Sequence, residues 1–167
     1  MLRNLIAFPL LALVVILQSA IISKVTLLSG YADLMLIVLS AWALKADALT
    51  AWLWAVLGGT LISFVSAVPW PIIFVGYLFV VLLAQLLKQR VWQAPLLAMF
   101  SVVFVGTLVM NLLTLLTLNL LGHPLPIGDS IGLIALPVVL LNLLFSIPVY
   151  VIVRDLARWF SPEQEME

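Results

Sequence analysis

Apolar runs broken at intervals by charge organise this chain, and no alternation of period two runs through them. Because a hydrocarbon layer about 30 Å thick needs roughly 20 helical residues at about 1.5 Å each, the length of each uncharged stretch is the informative quantity. Asn4 to Ser23, between Arg3 and Lys24, is one such stretch, and Leu34 to Leu44 is a second that stays short unless Lys45 snorkels. Ala48 to Leu87 is twice the length of a span, with Pro69-Trp70-Pro71 near its middle. Proline cannot donate a backbone hydrogen bond and pushes its predecessor out of the helical region, so this tripeptide ends one helix and begins the next. Leu96 to Leu121 and Ile131 to Val153 follow, separated by a Pro- and Gly-rich loop. The pattern predicts an all-α integral membrane protein with a single domain over 1–160. Its six transmembrane helices fall at 4–23, 33–45, 48–68, 71–87, 95–121 and 131–153, before an acidic tail over 161–167. Continuous Leu and Val runs argue against a β-barrel.

Charge orients these spans. Arg3, Lys45, Lys88, Arg90, Arg154 and Arg158 collect on the side of the termini, with Lys24 alone opposite, which predicts both termini cytoplasmic. The long first run, preceded by Arg3 alone and carrying Ile21-Ile22 where small residues would mark cleavage, is expected to be a retained helix rather than a signal peptide. Ile152, Leu156, Trp159 and Phe160 lie opposite Arg154 and Arg158, so the last helix should continue past the membrane until Ser161-Pro162 stops it. Trp42, Trp92 and Trp159 are expected in an inner aromatic belt, and Trp70 and Tyr31 in an outer one. With 66% hydrophobic and 8% charged residues, a bilayer is the plausible solvent. A net charge of zero leaves no basic face for nucleic acid, and the lack of cysteine excludes disulfides and thiolate chemistry.

Small and polar residues then distinguish one helix from another. Ala51, Ala55, Gly59, Ser63 and Ala67 recur at every fourth position of the third span, with Gly58 and Ser66 beside them, which makes a face where two backbones can approach closely. That face serves packing inside the bundle or a partner in the membrane. The fifth span carries a stripe of Thr107, Asn111, Thr114 and Thr117, and the sixth carries Asn142, Ser146 and Tyr150. The two stripes, like Gln18 and Ser19 late in the first helix, either hold helices together or line a small-ligand pocket.

No ionisable residue falls near the middle of any span, which makes a proton-coupled carrier improbable. His123 reads as a turn residue, and Asp33 and Asp129 as helix N-caps ahead of apolar runs. No Ser-His-Asp grouping, metal-ligand cluster or phosphate-cradling loop can be assembled, so no enzyme activity, metal or cofactor is expected.

The ordered features Gln18-Ser19, Asp33-Leu34, Gly58-Gly59, a Pro-containing turn, Gly76-Tyr77-Leu78 and the basic Lys88-Gln89-Arg90 resemble the MreD family of bacterial rod-shape-determining membrane proteins. The resemblance runs from Leu17 to the Arg154 end of the sixth span. It departs at Ala32, where members often carry Pro, and at Ser63, where they often carry an acidic residue, so no carboxylate role passes to Ser63. The resemblance implies a non-catalytic scaffold of the cell-elongation (rod) complex. Such a scaffold binds MreC and helps organise peptidoglycan synthesis by a RodA-type glycosyltransferase and a penicillin-binding transpeptidase, with MreB filaments inside the cell. It also implies a fold similar to the substrate-binding S subunits of energy-coupling-factor vitamin transporters, and such a subunit is the alternative function. By that second resemblance an Ala-x-x-x-Ala docks S subunits through the first helix. Here Ala7, Ala12 and Ala20 lack the spacing, while Ala51 and Ala55 have it on the third.

Overall fold

The computed structural model of the chain describes residues 2–90, 94–122, 128 and 130–160. Its helices are α1 (Leu2–Ala20), α2 (Leu34–Lys45), α3 (Ala48–Ser63), α4 (Trp70–Arg90), α5 (Pro95–Leu120) and α6 (Leu136–Phe160), the last entered through a π-helical segment, Ser130–Ala135. Between α1 and α2 come a 3-10 turn, Ile22–Lys24, and a small antiparallel hairpin of β1 (Thr26–Leu27) and β2 (Gly30–Tyr31). His123, Asp129, Trp92 and the acidic tail, all singled out in the sequence, lie outside the described residues.

Four helical segments, Ala7–Lys24, Trp70–Gln89, Pro95–Leu120 and Ser130–Trp159, are long and apolar enough to cross a membrane, as in a multi-pass membrane protein. The other two are shorter: α2 keeps almost the bounds expected of it, and α3 falls short of them. At about 1.5 Å per residue, α2 rises about 18 Å and α3 about 24 Å, against about 39 Å for α5. Caps fix these lengths. Asp33 Oδ1 accepts from the Leu36 amide at 3.0 Å, and Asp47 accepts from the Thr50 amide at 3.1 Å, so each carboxylate starts a helix. At its far end α3 stops at Ser63 rather than at 68. The Val65 and Ser66 amides both turn back to the Ile62 carbonyl, and the Ser66 hydroxyl accepts from the Val68 amide, closing a turn ahead of Pro69.

Every residue of α2 from Leu34 to Leu44 is buried, and α2 packs against each of the other five helices. A helix apolar on all sides is enclosed by protein or by lipid, and here the other five helices do the enclosing. Successive helices alternate in direction, which gives the bundle two distinct ends. At the basic end, Gln85 Nε2 donates to the Ala43 carbonyl at 2.8 Å and Lys88 Nζ to the Ala46 carbonyl at 2.7 Å, so α4 side chains satisfy the last carbonyls of α2. Lys45 Nζ lies 5.7 Å from the centroid of the Tyr150 ring at this end. Trp42 belongs to no belt. It is buried and stacks on Trp54 with ring centroids 3.9 Å apart, because α2 has no outward face to offer it. Trp70, Tyr31 and Trp159 are exposed.

The hairpin end is pinned by a proline. Pro137 lacks the amide that would bond the Leu133 carbonyl in an α-helical ladder, and the Ser29 amide donates to that carbonyl at 3.1 Å. Gly30 makes this approach possible. A Cβ there would lie 3.0 Å from the Ile134 carbonyl oxygen, from Pro137 Cβ and from Val138 Cγ2.

Candidate functional site

A cavity of about 480 Å³ opens at the hairpin end, where α2 stops short and the longer helices continue around it. Its walls come from the end of α1, the hairpin, the end of α3 and the α3–α4 turn, the start of α4, the second half of α5 and the start of α6. Non-helical backbone is tolerated within a membrane protein where it is buried in protein or lines a cavity. The hairpin meets the second condition: Ser29, Gly30 and Tyr31 line the cavity, and of its strand residues only Gly30 is buried.

The floor of the cavity is a hydrogen-bonded junction. Asn142, fully buried on α6, accepts from the Asp33 amide through Oδ1 at 2.7 Å and donates through Nδ2 to Thr107 Oγ1 on α5 at 2.8 Å. Tyr77, buried on α4, donates to the Asp33 carboxylate at 3.2 and 3.1 Å. Gln18 Oε1 on α1 accepts from the Met35 amide at 3.0 Å. Five helices thus meet where α2 begins. In lipid each such cross-helix bond contributes about 0.6 kcal/mol on average.

The two polar stripes meet only in part. Thr107 and Asn142 touch, and both line the cavity with Asn111 and Thr114. Asn111 donates to the Thr107 carbonyl, Thr114 to that of Met110 and Thr117 to that of Leu113, so these three turn back onto their own helix. Ser146 is buried away from the cavity and donates to the Leu143 carbonyl at 2.6 Å, while Tyr150 sits at the basic end. Gln18 and Ser19 line the cavity, as does Tyr31, whereas Trp70 does not.

The small residues of the third span split. Ala51, Ala55, Gly58 and Gly59 are buried. A Cβ on Gly59 would meet the Phe74 ring of α4 at 3.4 Å, and one on Gly58 would meet Met35 Sδ of α2 at 2.9 Å, so this face packs inside the bundle. Ser63 is half-buried with its hydroxyl turned to the Gly59 carbonyl, and Ala67 lies beyond the helix, exposed at the cavity rim. Ala67 therefore shares no helix face with Ala51, because the turn intervenes.

Among the described residues Asp33 is the only carboxylate in the cavity lining, and none of those lining residues is Lys, Arg or His. Among the described residues no three His, Asp or Glu side chains come together as a metal site. The sequence marked Asp33 only as a cap and Tyr77 only within a short pattern. A buried phenol on the fourth helix and a carboxylate at the head of the second are the signal that could have paired them. Comparison of the chain with protein-family models, with curated proteins and with solved structures finds no match.

Proposed function

We propose that this chain is a non-catalytic scaffold of the bacterial cell-elongation complex, similar in role to the MreD family. On this reading it crosses the inner membrane six times with both termini cytoplasmic and binds an MreC-type protein, and through it the glycosyltransferase and transpeptidase that build peptidoglycan. The hairpin end then faces outward and the basic end lies inside. One observation carries the reading. The residues that permit close backbone contact are turned inward, while α6 presents an outward ridge of Leu136, Leu140, Leu144, Ile147 and Val151 at helical spacing, every one exposed. With the bundle's own close-packing face used inside, this ridge is the surface left for a partner helix, which would be held by van der Waals packing because lipid supplies no hydrophobic drive.

Capture experiments test it. Tagged protein should retain an MreC-type partner from membranes, and Leu140→Trp with Leu144→Trp should cut that capture about tenfold with unchanged melting, because lipid accommodates the added bulk and a packed helix does not. No capture by the native chain, or equal capture by the variant, defeats the reading. The cavity favours a second reading, the vitamin-binding S subunit. Capture of a transporter membrane subunit with its ATPases, and of no MreC-type protein, would establish that one.

A further inference from the structure

We propose that the cavity at the hairpin end binds the ammonium group of a small, otherwise apolar amine, with the Asp33 carboxylate as its counter-charge. The inference stands on the cavity and not on the scaffold reading, and partner capture and amine binding are read in separate experiments.

The chemistry of the lining selects the ligand. Among the described residues of the lining Asp33 is the one carboxylate and no side chain is basic, so an anionic ligand would meet repulsion that no side-chain cation there offsets. Oδ1 accepts from the Leu36 amide, and both oxygens face the Tyr77 hydroxyl. A carboxylate offers about four lone-pair sites, so acceptor capacity remains. Three neighbouring donors are already directed elsewhere: Asn142 Nδ2 to Thr107, Asn111 to the Thr107 carbonyl and Thr114 to the Met110 carbonyl. The α2 N-terminus supplies roughly half a positive charge, which leaves the floor net negative. A half-buried carboxylate with no ion-pair partner among the described residues is costly, and a cation seated beside it would relieve that cost. Leu36, Ile62, Ile73, Met110 and Val138 belong to the apolar part of the remaining walls, beside uncharged polar side chains that include Gln18, Ser19, Ser29 and Ser66, and the volume of about 480 Å³ lies within the range of small-molecule sites. An ammonium on a compact apolar body matches both halves. Its source is either a soluble amine or the head group of an ethanolamine lipid.

Full-length protein in maltoside micelles should bind 2-phenylethylamine saturably and about tenfold more tightly than 2-phenylethanol, the difference between a charge-assisted and a neutral hydrogen bond, with no binding of phenylacetate. Asp33→Asn keeps a capping side chain and should abolish the preference for amine over alcohol. Ala67→Trp fills the exposed rim without touching helix packing and should weaken the amine about tenfold. Equal affinity for amine and alcohol, no saturable binding, or binding unchanged in Ala67→Trp overturns the proposal, as does a folded Asp33→Asn protein that keeps the preference. Added phosphatidylethanolamine distinguishes the sources. Competition with 2-phenylethylamine assigns the site to a lipid head group, and undisturbed amine binding assigns it to a soluble amine.

Discussion

Replacing Asn142 with leucine preserves approximate volume but removes both bonds that this side chain makes, at 2.7 Å with the Asp33 amide and at 2.8 Å with Thr107. Thr107→Val removes only the second. A cross-helix hydrogen bond within lipid is worth about 0.6 kcal/mol on average and up to about 1.7, which is the loss expected for Thr107→Val. Asn142→Leu loses two such bonds and also strands the Asp33 amide where water is scarce, a penalty of about 1 to 3 kcal/mol. Its total should come to about 2 to 6 kcal/mol. Because the Thr107 bond is shared, the double variant should cost less than the sum of the singles by about 0.6 to 1.7 kcal/mol. Equilibrium unfolding of the four proteins in mixed micelles, by titration with a denaturing detergent, measures each term. Strict additivity of the two substitutions, or an Asn142→Leu loss no larger than that of Thr107→Val, would refute the junction as described.

Gly30→Ala should lower stability by about 1 to 3 kcal/mol, since the Ile134 carbonyl and the Pro137 ring cannot yield separately and the hairpin must lift. Thermal melting reads that loss, and an unchanged melt would count against the docked hairpin. Trp54→Phe should cost under about 1 kcal/mol, because it removes a buried indole N–H with no partner together with some stacked area. Trp54→Ala should cost about 3 to 5 kcal/mol, and similar melting of the two variants would show that the stack contributes little.

Charges and prolines made the order of elements legible. Lys24, Lys45 and Lys88 sit at or near helix ends, and Pro69-Trp70-Pro71 marks the start of α4. Composition also held the position of α2, since Leu34 to Leu44 has Ser40 as its only polar member besides Trp42, and Ser40 bonds back to the Leu36 carbonyl. An all-apolar helix suits lipid as well as protein, so the short length of α2 was legible but its enclosure on every side was not. The early end of α3 was not legible, because hydropathy runs unbroken through Phe64-Val65 while the stop comes from backbone bonds to Ile62. Proximity to Lys45 placed Trp42 at an interface, but the direction a side chain takes from an all-apolar helix is set by its neighbours. The cavity was half visible. The stripe Thr107-Asn111-Thr114 declared a polar side, whereas its meeting with Asp33, Tyr77 and Gln18 joins residues far apart in sequence, which no local pattern encodes.

The bond between the Asp33 amide and Asn142 spans 109 residues, and that separation bears on how the chain is made. At a synthesis rate of about 5 to 20 residues per second, the head of α2 leaves the ribosome roughly 5 to 20 seconds before the side chain that completes it. Although α1, α3, α4 and α5 can pack on α2 as each emerges, the Asp33 amide has no Asn142 to bond until the C-terminal segment arrives. A ribosome stalled ahead of α6 would therefore leave the N-terminal half exposed to quality-control proteases, and release of that last segment is the step that closes the assembly.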